Sequence, residues 1–398
     1  MSTQEAPAGS VIPVNRWIQL VAGVVCMVMI ANLQYGWTYF VDPIDARFHW
    51  GRTNIQIAFT IFVATETWLV PVEGWFVDRF GPRIVVMFGG AVVASAWWLN
   101  SIAATLPMLY LAAAISGVGA GAAATVYPII YVIKNYGYDR AFLWFGLGQG
   151  LVILVLSQFL KAPRPGEAPK AARRVTQGTR DYRPSEMLQT PLFWILYVMF
   201  VLVAASGLVV TAQVAPIARD YKIAGLPVNF LFISSTVLVM AGIVDNVLNG
   251  LARPTFGWVS DHIGRENTMA IVFTCGAGAY WALGTIGNSP WTFIATAGLV
   301  YFTWGEIYSL FPALCTDVYG PKYAATNAGA LYTAKGAASF LVPAASWLQT
   351  YTGGWHAVFV VAAIANIAVA ASALLVVKPM RAAHRGEVPS MQVAPLAE

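Results

Sequence analysis

A succession of apolar runs, each close to the length of a bilayer crossing, constrains this chain more than any motif does. They fall near residues 17–40, 53–75, 84–104, 107–133, 141–160, 191–215, 229–252, 268–287, 291–314, 325–349 and 355–378. A hydrocarbon core of ~30 Å takes about 20 apolar residues of helix. In lipid each backbone amide must be satisfied internally, which a helix achieves within its own segment. Charged residues make up 10% of the chain, against roughly 25% in soluble domains. The expected fold class is an all-α polytopic membrane protein.

Other classes close quickly. The start, MSTQEAPAGSVIPVNRW, lacks a basic n-region joined to an apolar core, so no cleaved signal peptide is expected. Cys26, Cys275 and Cys315 all fall inside apolar runs and read as small buried hydrophobes. The four histidines, His49, His262, His356 and His384, fall in loops or tails, and no cluster in the runs suggests a metal. There is no G-x-x-x-x-G-K-[ST] loop to hold a nucleotide. No nucleophile–base pair suggests an enzyme, and no cofactor is implied. The net charge of +5 requires no nucleic acid, because the basic residues collect in loops.

The stretch KAPRPGEAPKAARRVTQGTRDYRPSEM, residues 161–187, divides the runs into two sets and carries seven Lys/Arg against three Asp/Glu. Basic excess marks the cytoplasmic side. The stretch therefore reads as a cytoplasmic linker, with the basic tail KPMRAAHRGE on the same side. The expected organisation is an N-terminal membrane bundle over 1–160 and a linker over 161–190, then a C-terminal six-helix bundle over 191–378 and a tail over 379–398. The bundles echo each other. GWFVDRFGPR (Gly74 to Arg83) follows the second run and GWVSDHIGRE (Gly257 to Glu266) the seventh, 183 residues later. Such repeats between helical halves mark secondary transporters. Glycine permits tight turns and close approach, and Asp can cap a helix or pair with Arg. Gly74, Asp78, Gly81, Arg83, Gly257, Asp261, Gly264 and Arg265 are thus candidate conformational loop residues.

The loop pair resembles the signature of the major facilitator superfamily. More narrowly, NRWIQLVAG, NLQYGWTYF, DRFGPR, FGWVSDHIGR, FTWGEIYSLFP and TAKGAASF resemble the oxalate:formate antiporter family within it, over about residues 15–377. The resemblance implies two helical-bundle halves in the inner membrane, a monomer, and a small organic anion carried by alternating access.

Ionisable side chains at lipid depth cost ~2.5–3.5 kcal/mol each on insertion scales and are functional candidates by default. The runs contain Glu66, Glu73, Asp245, Arg253, Glu306 and Lys335. Lys335 lies near the middle of its run; ten residues of helix rise about 15 Å, further than the side chain snorkels. It either meets substrate or pairs with a buried carboxylate, Glu306 and Asp245 being the expected partners. Asp245, Asn249 and Arg253 recur at i, i+4 and i+8 and share one helix face. Arg253 either grips a carboxylate through two hydrogen bonds or reaches headgroups from its helix end. The resemblance implies that Arg253 and Lys335 bind the anion, and that Gln34, Tyr35, Trp304, Tyr308 and Tyr332 line the cavity. Glu66, Asp245 and Glu306 are candidates for proton or charge coupling. The resting site is then doubly cationic, so an empty carrier is expected to reorient poorly and exchange is favoured. A proton-coupled monocarboxylate carrier and a transport-inactive, sensing protein are the alternatives.

Charge and count conflict in the first half. If 141–160 crosses once, strict alternation puts the basic linker outside. Against the family pattern, KNYGYDR (134–140) is followed at once by AFLWFGLGQGLVILVLSQFLKAPRP, which resembles the sixth helix. The expectation is a chain that lacks the fifth helix after Arg140, with about eleven spans instead of twelve. Segment 141–160 would then enter and leave on the cytoplasmic side, unless the chain is an incomplete variant.

Overall fold

A computed structural model describes residues 32–117, 126–160, 180–230 and 233–384, with the single positions 18, 21, 22 and 25. The first half comprises α1 (Asn32–Phe48), α2 (Arg52–Trp68), α3 (Val70–Phe80), α4 (Pro82–Ser101), α5 (Leu106–Gly117), α6 (Val126–Tyr136) and α7 (Tyr138–Ser157). A short α8 (Pro184–Met187) leads into α9 (Pro191–Asp220). A hairpin of β1 (Pro227–Phe230) and β2 (Ile233–Thr236) follows. Then come α10 (Val237–Ile263), α11 (Arg265–Ile286), α12 (Pro290–Gly305), α13 (Ile307–Tyr319), α14 (Ala324–Ser339), α15 (Leu341–Thr352), α16 (His356–Ser372) and, after a π turn, α17 (Lys378–His384). Six helical stretches among the described residues are long and apolar enough to cross a membrane. The seventh apolar run thus begins as hairpin, and its helix starts only at Val237.

Other crossings are two helices in line, and proline shapes them. Proline lacks the amide that would reach back four residues. Pro216 therefore releases the carbonyl of Ala212, and Pro343 that of Ser339. Gln56 Nε2 donates to the first at 3.0 Å and Thr60 Oγ1 to the second at 2.8 Å. Gln56 and Thr60 stand one turn apart on α2. Two proline sites in the second half thus dock one face of the first.

Contacts along the helices give their directions. Arg83, at the start of α4, donates to the carbonyl of Gln158 just past α7. Arg47, near the end of α1, donates to Tyr138 Oη at the start of α7, at 3.4 Å. Between these ends Gly146 lies against Trp97 and Gly150 against Ala94. Helix α7 therefore crosses the whole bundle antiparallel to α4 and finishes where the linker begins. The expectation that 141–160 enters and leaves on one side is corrected.

The run before it contributes two described helices of opposite direction. Helix α5 runs parallel to α2, with Tyr110 Oη donating to the Asn54 carbonyl at 2.9 Å and Gly117 against Phe62 and Glu66. Helix α6 runs parallel to α1, with Ile129 beside Gly36 and Lys134 sharing a pocket with Tyr39. Because α1 and α2 are antiparallel, 107–133 is not one span: α5 starts, and α6 finishes, at the end remote from the linker. The linker then begins at the same end as Arg83, and the charge conflict disappears.

Each end carries its own ion pairs. At the linker end Arg265 meets Asp261 at 2.7 Å and Asp317 at 3.2 Å, while Arg381 meets Glu266 at 2.7 Å and Asp317 at 3.4 Å. Gly81 and Gly264 turn there with φ of 79° and 89°, where glycine alone is unstrained. Gly257 has open space where a Cβ would stand. The side chain of Asp78 and the Gly74 position beside it lie outside what is described at that level. At the remote end Arg52 meets Asp42 at 3.2 Å and Asp220 at 2.9 Å, and Arg219 also pairs with Asp42. Trp355 Nε1 donates to Asp220 at 2.9 Å. This second set joins the two halves.

Candidate functional site

Lys335 is placed by the glycine that follows it. A Cβ on Gly336 would stand 2.3 Å from Thr67 Oγ1, so only glycine lets α14 come this close to α2. The approach carries the ammonium group across the interface between halves. Lys335 Nζ donates to Glu66 Oε1 and Oε2, both at 3.1 Å, and to Gln34 Oε1 at 2.9 Å. It also lies 3.5 Å from Tyr332 Oη. The residue is 2% exposed. Its carboxylate partner is therefore Glu66 of the first half, and the expected partners Glu306 and Asp245 are corrected.

Arg253 reaches the same place from α10. Its guanidinium carbon stands 5.2 Å from the centroid of Tyr308, and Lys335 Nζ stands 5.7 Å from that same ring. Both are within cation–π range. Arg253 makes no ion pair among the described residues, and its buried Nε has no hydrogen-bond partner there. Two cations thus converge on one tyrosine, and one of them, Lys335, carries the Glu66 carboxylate.

Aromatic rings close the site. Trp304 packs edge-on to Tyr308 at 5.4 Å, and Tyr308 lies 5.7 Å from Tyr332. Phe200 of α9, which no charge or spacing in the sequence singled out, is 6.2 Å from both tyrosines. Gln34 is in place on α1; Tyr35 belongs to the same helix, but its side chain is outside the described set. Trp304 owes its seat to Gly207, where a Cβ would fall 2.2 Å from the indole. Overpacking of this kind costs about 1–3 kcal/mol. Gly207→Ala is expected to lower the thermal unfolding midpoint and change the emission of Trp304. A wild-type midpoint and spectrum would show that the indole has another place to go.

The remaining carboxylates stay apart from the two cations. Asp245 is buried on α10, close to Gly298, and its oxygens accept no hydrogen bond among the described residues. Glu306 is fully buried at the junction of α12 and α13, also without a hydrogen-bond partner among them. Neither joins Lys335 or Arg253 in an ion pair.

The profile of the Major Facilitator Superfamily matches residues 20–132 and 127–343. The chain belongs to the major facilitator superfamily. Within it, the chain is 31% identical to the oxalate:formate antiporter of Oxalobacter formigenes, covering 92% of each protein, which places it in that family. That alignment spans 399 positions while using 92% of this chain, so the relative carries residues with no counterpart here. Monocarboxylate transporter 13 of Bos taurus is 24% identical over 81% of this chain and 80% of its own. Among solved structures, a point mutant of the nucleoside transporter NupG superposes with a TM-score of 0.66 at 10% identity, covering 90% of this chain and 99% of that one. This last likeness concerns the fold alone. The superfamily chain described here is a multi-pass membrane transporter.

Proposed function

We propose that this transporter moves small carboxylates by alternating access, with Arg253 and Lys335 gripping the anion and Trp304, Tyr308, Tyr332 and Phe200 shaping its cavity. The observation that carries this reading is the convergence of both cations on the Tyr308 ring, with Glu66 as the carboxylate beside them. With Glu66 ionised the site holds one uncompensated positive charge. A monocarboxylate matches that charge. A dicarboxylate matches it when Glu66 carries a proton. Aromatic walls exclude water and strengthen the ion pairing of a small anion.

The pairing also revises how the empty carrier behaves. A doubly cationic empty site was expected to resist reorientation; with Lys335 paired to Glu66, only one cation stands uncompensated. Proton coupling through Glu66 is therefore the second reading, beside the antiport practised by the oxalate:formate relative. The two halves, which meet along α2 and α14, would rock about this midplane pair. The linker end faces the cytoplasm and the protein works as a monomer in the inner membrane; the helix missing from the family pattern, expected after Arg140, falls instead between α5 and α6, because α6 leads directly into α7.

Proteoliposomes test the reading. Labelled oxalate and formate should enter faster when unlabelled carboxylate is loaded inside, and an imposed proton gradient should drive dicarboxylate more than monocarboxylate. If no small mono- or dicarboxylate moves under either drive, the chain is a carrier in fold only.

A further inference from the structure

A second cluster of cations stands at the end remote from the linker, away from Lys335 and Arg253. A pocket of about 280 Å³ is walled by Tyr39 of α1, Ile133 and Lys134 of α6, Arg219 of α9 and Leu238 of α10. It lies on the seam between the halves. Arg219 pairs with Asp42, and Arg52 bridges Asp42 and Asp220. Lys134 is exposed and makes no ion pair among the described residues. Lys134 and Arg219 thus stand together on the pocket wall, Arg219 shares Asp42 with Arg52, and Lys134 brings a cation with no ion pair among the described residues. Asp45 and Arg47, also at this end, are occupied elsewhere: Asp45 accepts from Gly51 N at 2.7 Å, and Arg47 donates to Tyr138.

We propose that this pocket is a separate anion site at the mouth of the carrier, taking a small carboxylate between Lys134 and Arg219 before it reaches the centre. The choice of carboxylate rests on the carrier reading; the site itself rests on the charges and the cavity. An entering carboxylate competes with Asp42 for Arg219, and Asp42 belongs to the other half. Binding thus loosens one of the contacts that hold the halves together at this end. Tyr39 of α1 lines the pocket beside Arg219. From Leu238 in the pocket wall, Asp245, Asn249 and Arg253 follow one face of α10 toward its other end. The stripe connects the mouth to the central cations and gives Asp245 a place on the path.

Lysine acylation reads the site without any need for transport. Purified full-length protein would be treated with a charged succinimidyl ester, with and without oxalate at constant ionic strength set by chloride. Lys134 and Lys222 would be followed by mass spectrometry. Lys222 is an exposed lysine at the same end but not in the pocket wall, so it serves as the internal control. Oxalate is expected to slow acylation of Lys134 at least about five-fold and leave Lys222 unchanged, in the native protein and equally in Lys335→Gln. Absence of protection, or equal slowing at both lysines, overturns the proposal. Protection that vanishes in Lys335→Gln assigns the effect to the central site and overturns it as well. Where native protein transports, Lys134→Gln should raise the KM for carboxylate offered at this end several-fold and leave kcat unchanged. Protection without any flux would instead leave the mouth site standing and remove the carrier reading.

Discussion

Glu66→Gln is expected to destabilise the empty protein and make it unusually responsive to added carboxylate. Lys335 keeps Gln34 and Tyr332 as polar neighbours but loses its carboxylate partner. Removing one member of a buried ion pair typically costs about 3–5 kcal/mol. The cost comes from the ammonium left without a counter-charge at low dielectric, and a bound carboxylate can supply that charge. The thermal midpoint should therefore fall by several degrees without ligand, and oxalate or formate should recover more of it than the same anion adds to native protein. Charge selectivity should move too. With Glu66 uncharged, the site holds two uncompensated cations, so dicarboxylate should gain at least ten-fold over monocarboxylate, about 1.4 kcal/mol. A variant as stable as native protein, with unchanged ligand response, would mean that Lys335 has no need of Glu66.

Lys335 and Arg253 were legible because a charge in an apolar run is costly and therefore conspicuous. Tyr332, Trp304 and Tyr308 followed from helical spacing and from the family likeness. Glu66 was legible as a charge but not as a partner: it lies 269 residues from Lys335, and a sequence carries no register between two halves that meet only in space. Glu306 and Asp245 were nearer along the chain, and proximity in sequence misled. Asp42, Arg52, Arg219 and Asp220 were missed altogether, because charges at the ends of apolar runs look like solvated loop residues. The α5–α6 reversal was hidden for a different reason. Apolarity counts the same whether a segment crosses once or turns back, and only the contacts of Gly117 with α2 and of Ile129 with α1 separate the two cases.

Neutralising either cation should cost more than any other single change. Lys335→Gln and Arg253→Gln each remove a charge-assisted contact to a desolvated anion, worth about 2–5 kcal/mol, or roughly 30-fold to several-thousand-fold in affinity. Each also brings the net charge of the site to zero while Glu66 stays ionised, so both should nearly abolish carboxylate exchange in protein that still folds. This makes the pair a test of what the site measures. Glu66→Gln added to either variant restores one uncompensated cation, the same net charge as the native empty site. If net charge governs recognition, monocarboxylate exchange should return in part to both double variants, measured in proteoliposomes beside native protein. If neither double variant recovers, the two cations act through geometry, as a clamp that needs both arms about Tyr308. Recovery in Arg253→Gln/Glu66→Gln alone would make Lys335 the primary anchor. Freed from Glu66 by the second change, its ammonium could then hold a monocarboxylate without Arg253.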